Sequence, residues 1–443
     1  MKTTISYNRV WQIAYPIIIG SIAQNVINVT DTAFLGRLGE VALGAGAIGG
    51  LFYLAIVMLG WGFGIGVQIV IARRFGEGAY RTIGRVAQHG FFFLTALALL
   101  LFIIYQSFGN SILSSLVESE AINLSSAGFL KYRIWGLFFA HTSFLFNAFY
   151  VGIGRTRIIS LATVVMVALN IVLDYALIFG HFGLPQMGVE GAALASVISE
   201  GASVLVFIAF SLSRSSLKKY RLFTYRIFSF KLLFRLLKIS VPTMFQSFFA
   251  FAVWFVFFLI IEKMGETELA ISNVIRSIYV LLMVPIMGFA SAANTLVSFV
   301  IGQDRSGEVL SLVKKVAALS VGMVMVLAIF SSIFAPQLLS LYITSDTLVA
   351  MGIPIVYIIS VAAIFLAAGS ILFHGVSGTG KTNVSLIIES LVLTLYVAIT
   401  ALLVLHFKVN LTMVWTVELF YGSFLAIVSY FYLKSNRWVG RKV

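Results

Sequence analysis

Twelve times along this chain an apolar run of about 20 residues recurs, each long enough as a helix to cross a hydrocarbon layer roughly 30 Å thick. The runs fall near residues 11–34, 44–72, 88–108, 129–151, 158–179 and 189–212, then 234–261, 270–300, 316–335, 349–373, 384–405 and 411–433. One such run is compatible with a buried core helix, but a dozen in 443 residues is not. A bilayer offers no water to satisfy backbone N–H and C=O groups, so a spanning segment of this length is helical. The expected fold is an all-α integral membrane protein of about twelve transmembrane helices.

Composition agrees: 60% of the residues are hydrophobic and 10% charged, against roughly 45–50% and about 25% in soluble domains. The formal charge of +14 would suggest a nucleic-acid partner in a soluble protein, but the basic residues are not spread as such a partner requires. They gather in segments on the side of the N-terminus: Arg73, Arg74, Arg81 and Arg85; Arg155 and Arg157; Arg214, Lys218, Lys219, Arg221, Arg226, Lys231, Arg235 and Lys238; Lys434, Arg437, Arg441 and Lys442. The opposite side has little beyond Arg37, Lys131, Arg133, Lys263 and Lys408. By the positive-inside rule the excess is an orientation signal. The chain is expected in the plasma (inner) membrane with both termini cytoplasmic, without a nucleic-acid partner.

The absence of cysteine excludes disulfides and thiolate metal sites, and the five histidines lack ligand spacing, so no metal is expected. The N-terminus is basic and then apolar, but Gln24, Asn25, Asn28 and Asp31 interrupt the run. It reads as a first span, not a cleaved leader.

Sliding the sequence over itself brings the halves into register at an offset of 226. Pro16 falls on Pro242, Gly39-Glu40 on Gly265-Glu266, Gly62-Phe63 on Gly288-Phe289, and Gly152 and Gly154 on Gly378 and Gly380. Because the offset spans an even number of crossings, the halves are parallel repeats, each a six-helix lobe. The expected division is an N-terminal lobe over 1–212, a basic cytoplasmic linker over 213–233 and a C-terminal lobe over 234–443. In such architectures the substrate path is expected between the halves, and repeated halves are commonly the machinery of alternating access.

One motif points elsewhere. The stretch from Gly375 through Gly380, Lys381 and Thr382 fits G-x-x-x-x-G-K-[ST] letter for letter, and taken alone would announce an ATPase. A phosphate cradle needs a strand before the loop and a helix packed on a sheet after it. Here a membrane span precedes it, and its repeat partner around Gly152 lacks the pattern. A short basic turn is the expectation.

Ionisable groups inside spans carry more information, since one at the bilayer centre costs at least about 2.5–3.5 kcal/mol. In the first span Ser21, Gln24, Asn28 and Asp31 share one helical face, and in the fifth Asn170 and Asp174 share another. The first stripe is expected to face the bundle interior. The plainer reading is interhelical hydrogen bonding that merely holds the bundle, but a carboxylate is a costly choice where an amide would serve. At the fixed offset Asp31, Asn170 and Asp174 become Phe257, Tyr396 and Thr400, so any ion-coupling site belongs to the first half. Glu389 has Thr163 as its partner, on the Asn170/Asp174 face, and is expected to point inward as a second carboxylate of the substrate cavity. Glu200, Glu418 and Arg276 also fall inside spans, where structural pairing is one reading of them.

At these residues the sequence resembles the multidrug and toxic compound extrusion (MATE) family. The motifs are Pro16 with the stretch from Asp31 to Gly39, Asn170 with Asp174, and the stretch from Gly188 to Ser196. The resemblance covers essentially the whole chain. It implies export of organic cations or amphipathic compounds in exchange for protons or sodium, with that gradient as energy source and no cofactor. It carries Asp31, Asn170 and Asp174 over as the ion-coupling site, with Ser196 a looser match; the polar stripe and the repeat add Gln24, Asn28 and Glu389, and these with Ser196 are the substrate-cavity candidates. Branches coupled to sodium carry acids in the seventh and tenth spans, whereas here the region after Pro242 has Gln246, Phe248 and Phe249, and 349–373 has no acid. That departure favours a DinF-like, proton-coupled member, a transporter and not an enzyme, acting as a monomer on a small-molecule substrate within the lipid bilayer. The alternatives are a lipid-linked precursor flippase, which a cavity rich in Arg and Lys would favour, and an ATP-driven pump, which rests on the Lys381 loop alone.

Overall fold

A computed structural model of the protein describes residues 5–224 and 228–440; Arg226, Arg441 and Lys442 of the basic segments lie outside the described residues. Every regular element among the described residues is helical. Spans one to six are Tyr7–Leu38, Glu40–Gly76, Tyr80–Leu116, the pair Glu120–Arg133 and Gly136–Gly152, Arg157–Phe179 and Val189–Ser213. Spans seven to twelve are Phe230–Glu262, Glu266–Gly302, Val309–Ile333, Asp346–Gly378, Thr382–Ala401 with a π-turn to His406, and Leu411–Trp415 continued by Val417–Lys434. Among the described residues eleven helices are long and apolar enough to cross a membrane, and the total is twelve when the pair in span four, bent by 51°, is taken as one crossing.

The helices outrun the apolar stretches that announce them. Span three, expected over 88–108, runs Tyr80–Leu116, and span two runs to Gly76. Arg73, Arg74, Arg81 and Arg85 thus sit in helical ends and not in connecting loops. Extending a formed helix costs little per residue, and long basic side chains reach polar surroundings from the last turn. Arg74, for example, pairs with Glu77 at 2.6 Å.

The chain forms two compact units. One is Ile19–Met244, here the N-unit; the other is Met1–Ile18 together with Phe245–Val443, here the C-unit. The opening of span one therefore belongs with spans eight to twelve, and the opening of span seven with spans two to six. Pro16 and Pro242 lie near these two division points, inside their helices, where each removes a backbone hydrogen bond and permits a bend. Glycines make both arrangements possible. In the N-unit, a Cβ on Gly62 would lie 2.6 Å from the Met244 Cα, and Thr243 Oγ1 donates to the Gly62 carbonyl at 2.7 Å. In the C-unit, a Cβ on Gly288 would lie 3.1 Å from the Ala14 carbonyl oxygen. Small residues allow helices to approach this closely where lipid offers no competing drive. Since Gly62 and Gly288 are repeat partners, the duplication extends to individual contacts. The same holds at the span junctions, where Gly39 and Gly265 adopt φ of 111° and 144°, values that only glycine takes without strain.

Candidate functional site

Span one and span five of the N-unit meet at two places. Near the start, a Cβ on Gly20 would sit 3.5 Å from Thr163 Oγ1. Further on, Phe34 lies edge-on to Phe179 at 5.7 Å and tilted against Tyr175 at 6.4 Å. Between these contacts the Asp31 and Asp174 carboxyl groups face each other within hydrogen-bonding reach. Asn170, one turn before Asp174, is 1% exposed and Asp174 is fully buried.

The electrostatics of that pair follow from its missing partners. Among the described residues no donor reaches Asp31 Oδ1 or either oxygen of Asp174, and neither polar atom of the Asn170 side chain has a partner. Buried polar atoms without partners are rare. Two carboxylates facing each other repel, and in a low-dielectric site both are not charged at once. A hydrogen bond between them forms only when one carries a proton. What such a pair can do chemically is hold one proton between two acids, with Asn170 beside it able to donate or accept.

The remaining candidates are placed differently. On span one, Ser21 and Asp31 are half-buried while Gln24 and Asn28 are exposed. Beside that face Asn25 Nδ2 donates to the Ser21 carbonyl at 2.9 Å and Thr32 Oγ1 to the Asn28 carbonyl at 2.7 Å. Ser196 is half-buried on span six, and no described hydrogen bond joins it to Asp31, Asn170 or Asp174. Glu389 lies in the C-unit, 4% exposed, accepting from the Tyr421 hydroxyl at 3.0 Å.

A second group in the N-unit was not legible as a unit. Arg133, at the bend of span four, makes a two-pronged ion pair with Glu200 of span six, Nη2 to Oε1 at 2.6 Å and Nη1 to Oε2 at 3.1 Å. Its guanidinium stacks 3.7 Å from the centre of the Tyr53 ring, and the Tyr53 hydroxyl reaches Glu200 Oε2 at 3.4 Å. The positive charge also acts on Asp31. Arg133 therefore does not belong to an outer connecting segment. The signal was present in the sequence, because the apolar run at 129–151 contains an arginine that requires a buried counter-charge.

The other intramembrane charges resolve without ion pairs. Glu418 accepts from Tyr396 at 2.8 Å and Tyr279 at 3.0 Å, and Arg276 lies 5.5 Å from the Phe258 ring centre with no acidic partner among the described residues.

The loop at Lys381 is a helix end. Gly375 and Gly378 close span ten, where a Cβ on Gly378 would lie 2.6 Å from the Asn294 carbonyl oxygen. The Thr379 N–H bonds to the Gly375 carbonyl at 3.2 Å and that of Gly380 to Ser377 at 2.9 Å. Those amides are spent on the cap, so they cannot surround a phosphate. Gly380 and its repeat partner Gly154 both take positive φ, 86° and 67°, which identifies the motif as the repeated turn.

A family model described as MatE matches twice, over residues 16–176 and 242–412. A probable multidrug resistance protein NorM from Thermotoga maritima is 27% identical over 443 residues, covering 98% of this chain and 93% of that protein. Another, from Agrobacterium fabrum, is 28% identical over 290 residues; the match spans 65% of this chain and 62% of that protein. Among solved structures, an outward-facing multidrug resistance MATE family transporter of the MOP superfamily superimposes with a TM-score of 0.90 at 22% identity, over 97% of this chain and 95% of that one. A MOP superfamily transporter from Pyrococcus furiosus, described by a binding pocket of reverse polarity, gives 0.88 at 22% identity over 97% and 95% of the two chains.

Proposed function

The chain belongs to the MatE family of multi-pass membrane transporters, and on that premise we propose that it exports organic cations or amphipathic compounds in exchange for protons by alternating access. The observation that carries the reading is the facing pair of half-buried Asp31 and fully buried Asp174, with no protein donor to Asp31 Oδ1 or to either Asp174 oxygen among the described residues. A proton entering from outside binds between the two carboxyls and removes their repulsion. Its loss to the inside restores the charge and resets the site. Asn170 steadies the pair, and Gln24, Asn28 and Ser196 are assigned to contact with substrate. A membrane potential of about 100 mV adds roughly 2.3 kcal/mol for each charge moved through it.

A flippase for a large anionic headgroup would need an unpaired cation near this site. Arg133 is already neutralised by Glu200, which favours the exchange reading. The distribution of basic residues supports cytoplasmic termini in the plasma (inner) membrane, and the two repeats within one chain support a monomer driven by the gradient alone, with no cofactor.

The test uses purified protein in liposomes with ethidium as the organic cation. An imposed pH gradient is expected to drive ethidium movement while a sodium gradient at uniform pH does not. The opposite result would replace the proton by sodium, and no movement under either would remove the antiport reading.

A further inference from the structure

The C-unit holds two buried carboxyl groups that the exchange step above does not use. Glu389 on span eleven is 4% exposed and Glu418 on span twelve 3%. Three tyrosines enclose them: Tyr421 donates to Glu389 Oε1 at 3.0 Å, Tyr396 to Glu418 Oε1 at 2.8 Å, and Tyr279 of span eight to Glu418 Oε2 at 3.0 Å. The Tyr396 and Tyr421 rings meet edge to face at 5.8 Å, which joins the two acids into one network. Phe257 of span seven and Trp415 close it, the first 5.5 Å from Tyr396 and 5.2 Å from Trp415. No Lys, Arg or His pairs with either carboxyl among the described residues.

The two acids are not equivalent. Each Glu418 oxygen accepts a hydroxyl proton, the arrangement that suits an anion. Glu389 Oε2 has no partner, and a bare charge there, with no cation near, would cost far more than a neutral acid. We infer that Glu389 is a second proton-binding group, placed by Tyr421 in a network anchored on the hydroxyl-bonded Glu418, so that a second proton accompanies each substrate. The inference rests on the exchange reading for its consequence, though not for the protonation itself. With one proton exchanged for a monovalent cation, transport is electroneutral. A second proton moves one net charge inward and makes export responsive to an inside-negative potential.

Two measurements on the full-length protein test this and separate it from the Asp31 reading. Infrared spectra taken across a pH series should show the carbonyl stretch of a protonated carboxylic acid that disappears in Glu389→Gln and persists in Glu418→Gln. In Tyr421→Phe the same band should move to higher frequency, because the acid loses a donor; this variant serves if Glu389→Gln does not fold. In liposomes at a fixed pH gradient, an inside-negative potential should accelerate ethidium export by wild type and have no effect on Glu389→Gln, which still responds to the pH gradient. Loss of the pH response in Asp31→Asn alone leaves the infrared result standing. A carboxylic band unchanged in both Glu389→Gln and Tyr421→Phe overturns the inference. So does a Glu389→Gln variant that keeps the potential response and only weakens cationic relative to neutral substrates, since that is the behaviour of a substrate-cavity group.

Discussion

At equivalent positions the two units of this chain solve different problems. Asp31, Asn170 and Asp174 of the N-unit correspond to Phe257, Tyr396 and Thr400 of the C-unit. In the first, half-buried Asp31 faces buried Asp174, and among the described residues Asp31 Oδ1, both Asp174 oxygens and the Asn170 amide have no partner. In the second, Phe257 is fully buried against Tyr396 and Trp415, and Thr400 spends its hydroxyl on the Tyr396 carbonyl at 2.8 Å. The C-unit nonetheless brings an acid to Tyr396, supplying Glu418 from span twelve, where the N-unit has Ala192. Tyr53 and Tyr279 show the same divergence from a common frame. They are repeat partners and each reaches a glutamate inside a span, but half-buried Glu200 is also held by Arg133 whereas buried Glu418 is held by hydroxyls alone. A duplicated scaffold therefore fixes where a polar group can sit, while the donors around it decide whether its hydrogen-bonding capacity is satisfied.

The largest expected effect breaks the comparison at its centre. Asp31→Asn should reduce pH-driven ethidium export to the level of empty liposomes while the protein still folds and inserts, whereas Phe257→Leu should retain coupling at a cost of about 1 kcal/mol in stability. Coupling that survives in Asp31→Asn, or vanishes in Phe257→Leu, would erase the functional asymmetry.

Next comes the charge balance of the N-unit. Arg133→Met leaves the half-buried Glu200 without its partner and should cost about 1.5–3 kcal/mol, read as a lowered Tm in detergent; adding Glu200→Gln should recover most of it. A single and a double variant of equal stability would mean that the pair is not the anchor its geometry implies.

A smaller difference separates the partner tyrosines. Tyr279→Phe removes one of two donors to Glu418 and should cost about 1–3 kcal/mol, while Tyr53→Phe loses a long contact to a glutamate already paired and should cost under about 0.5 kcal/mol. Equal losses would contradict the division between hydroxyl-held and arginine-held acids. The smallest effect belongs to the repeated turn: Lys381→Ala should transport as wild type, and an ATP-dependent uptake present in wild type but lost in this variant would reinstate the phosphate-loop reading.

Much of this was legible in the linear chain because membrane helices satisfy their own backbone, so length and hydropathy suffice to find them. The fixed offset revealed the repeat, and the cost of intramembrane charge pointed to Asp31, Asn170 and Asp174 before any coordinates. The same argument selected Glu389 but could not say that Tyr421 would cover one of its oxygens, because that contact joins spans eleven and twelve through side-chain direction. Gln24 and Asn28 were put on one face by spacing alone, and periodicity defines a face without naming what lies opposite it. Arg133 and Glu200, 67 residues apart, could be flagged singly as charges needing partners but not joined to each other. What the sequence by itself determined was therefore what each segment must be, since burial in lipid is a one-dimensional constraint on composition. Which polar groups are satisfied and which remain open to a proton was decided only in the tertiary structure, because a hydrogen bond depends on a few tenths of an ångström between helices that the order of residues does not encode.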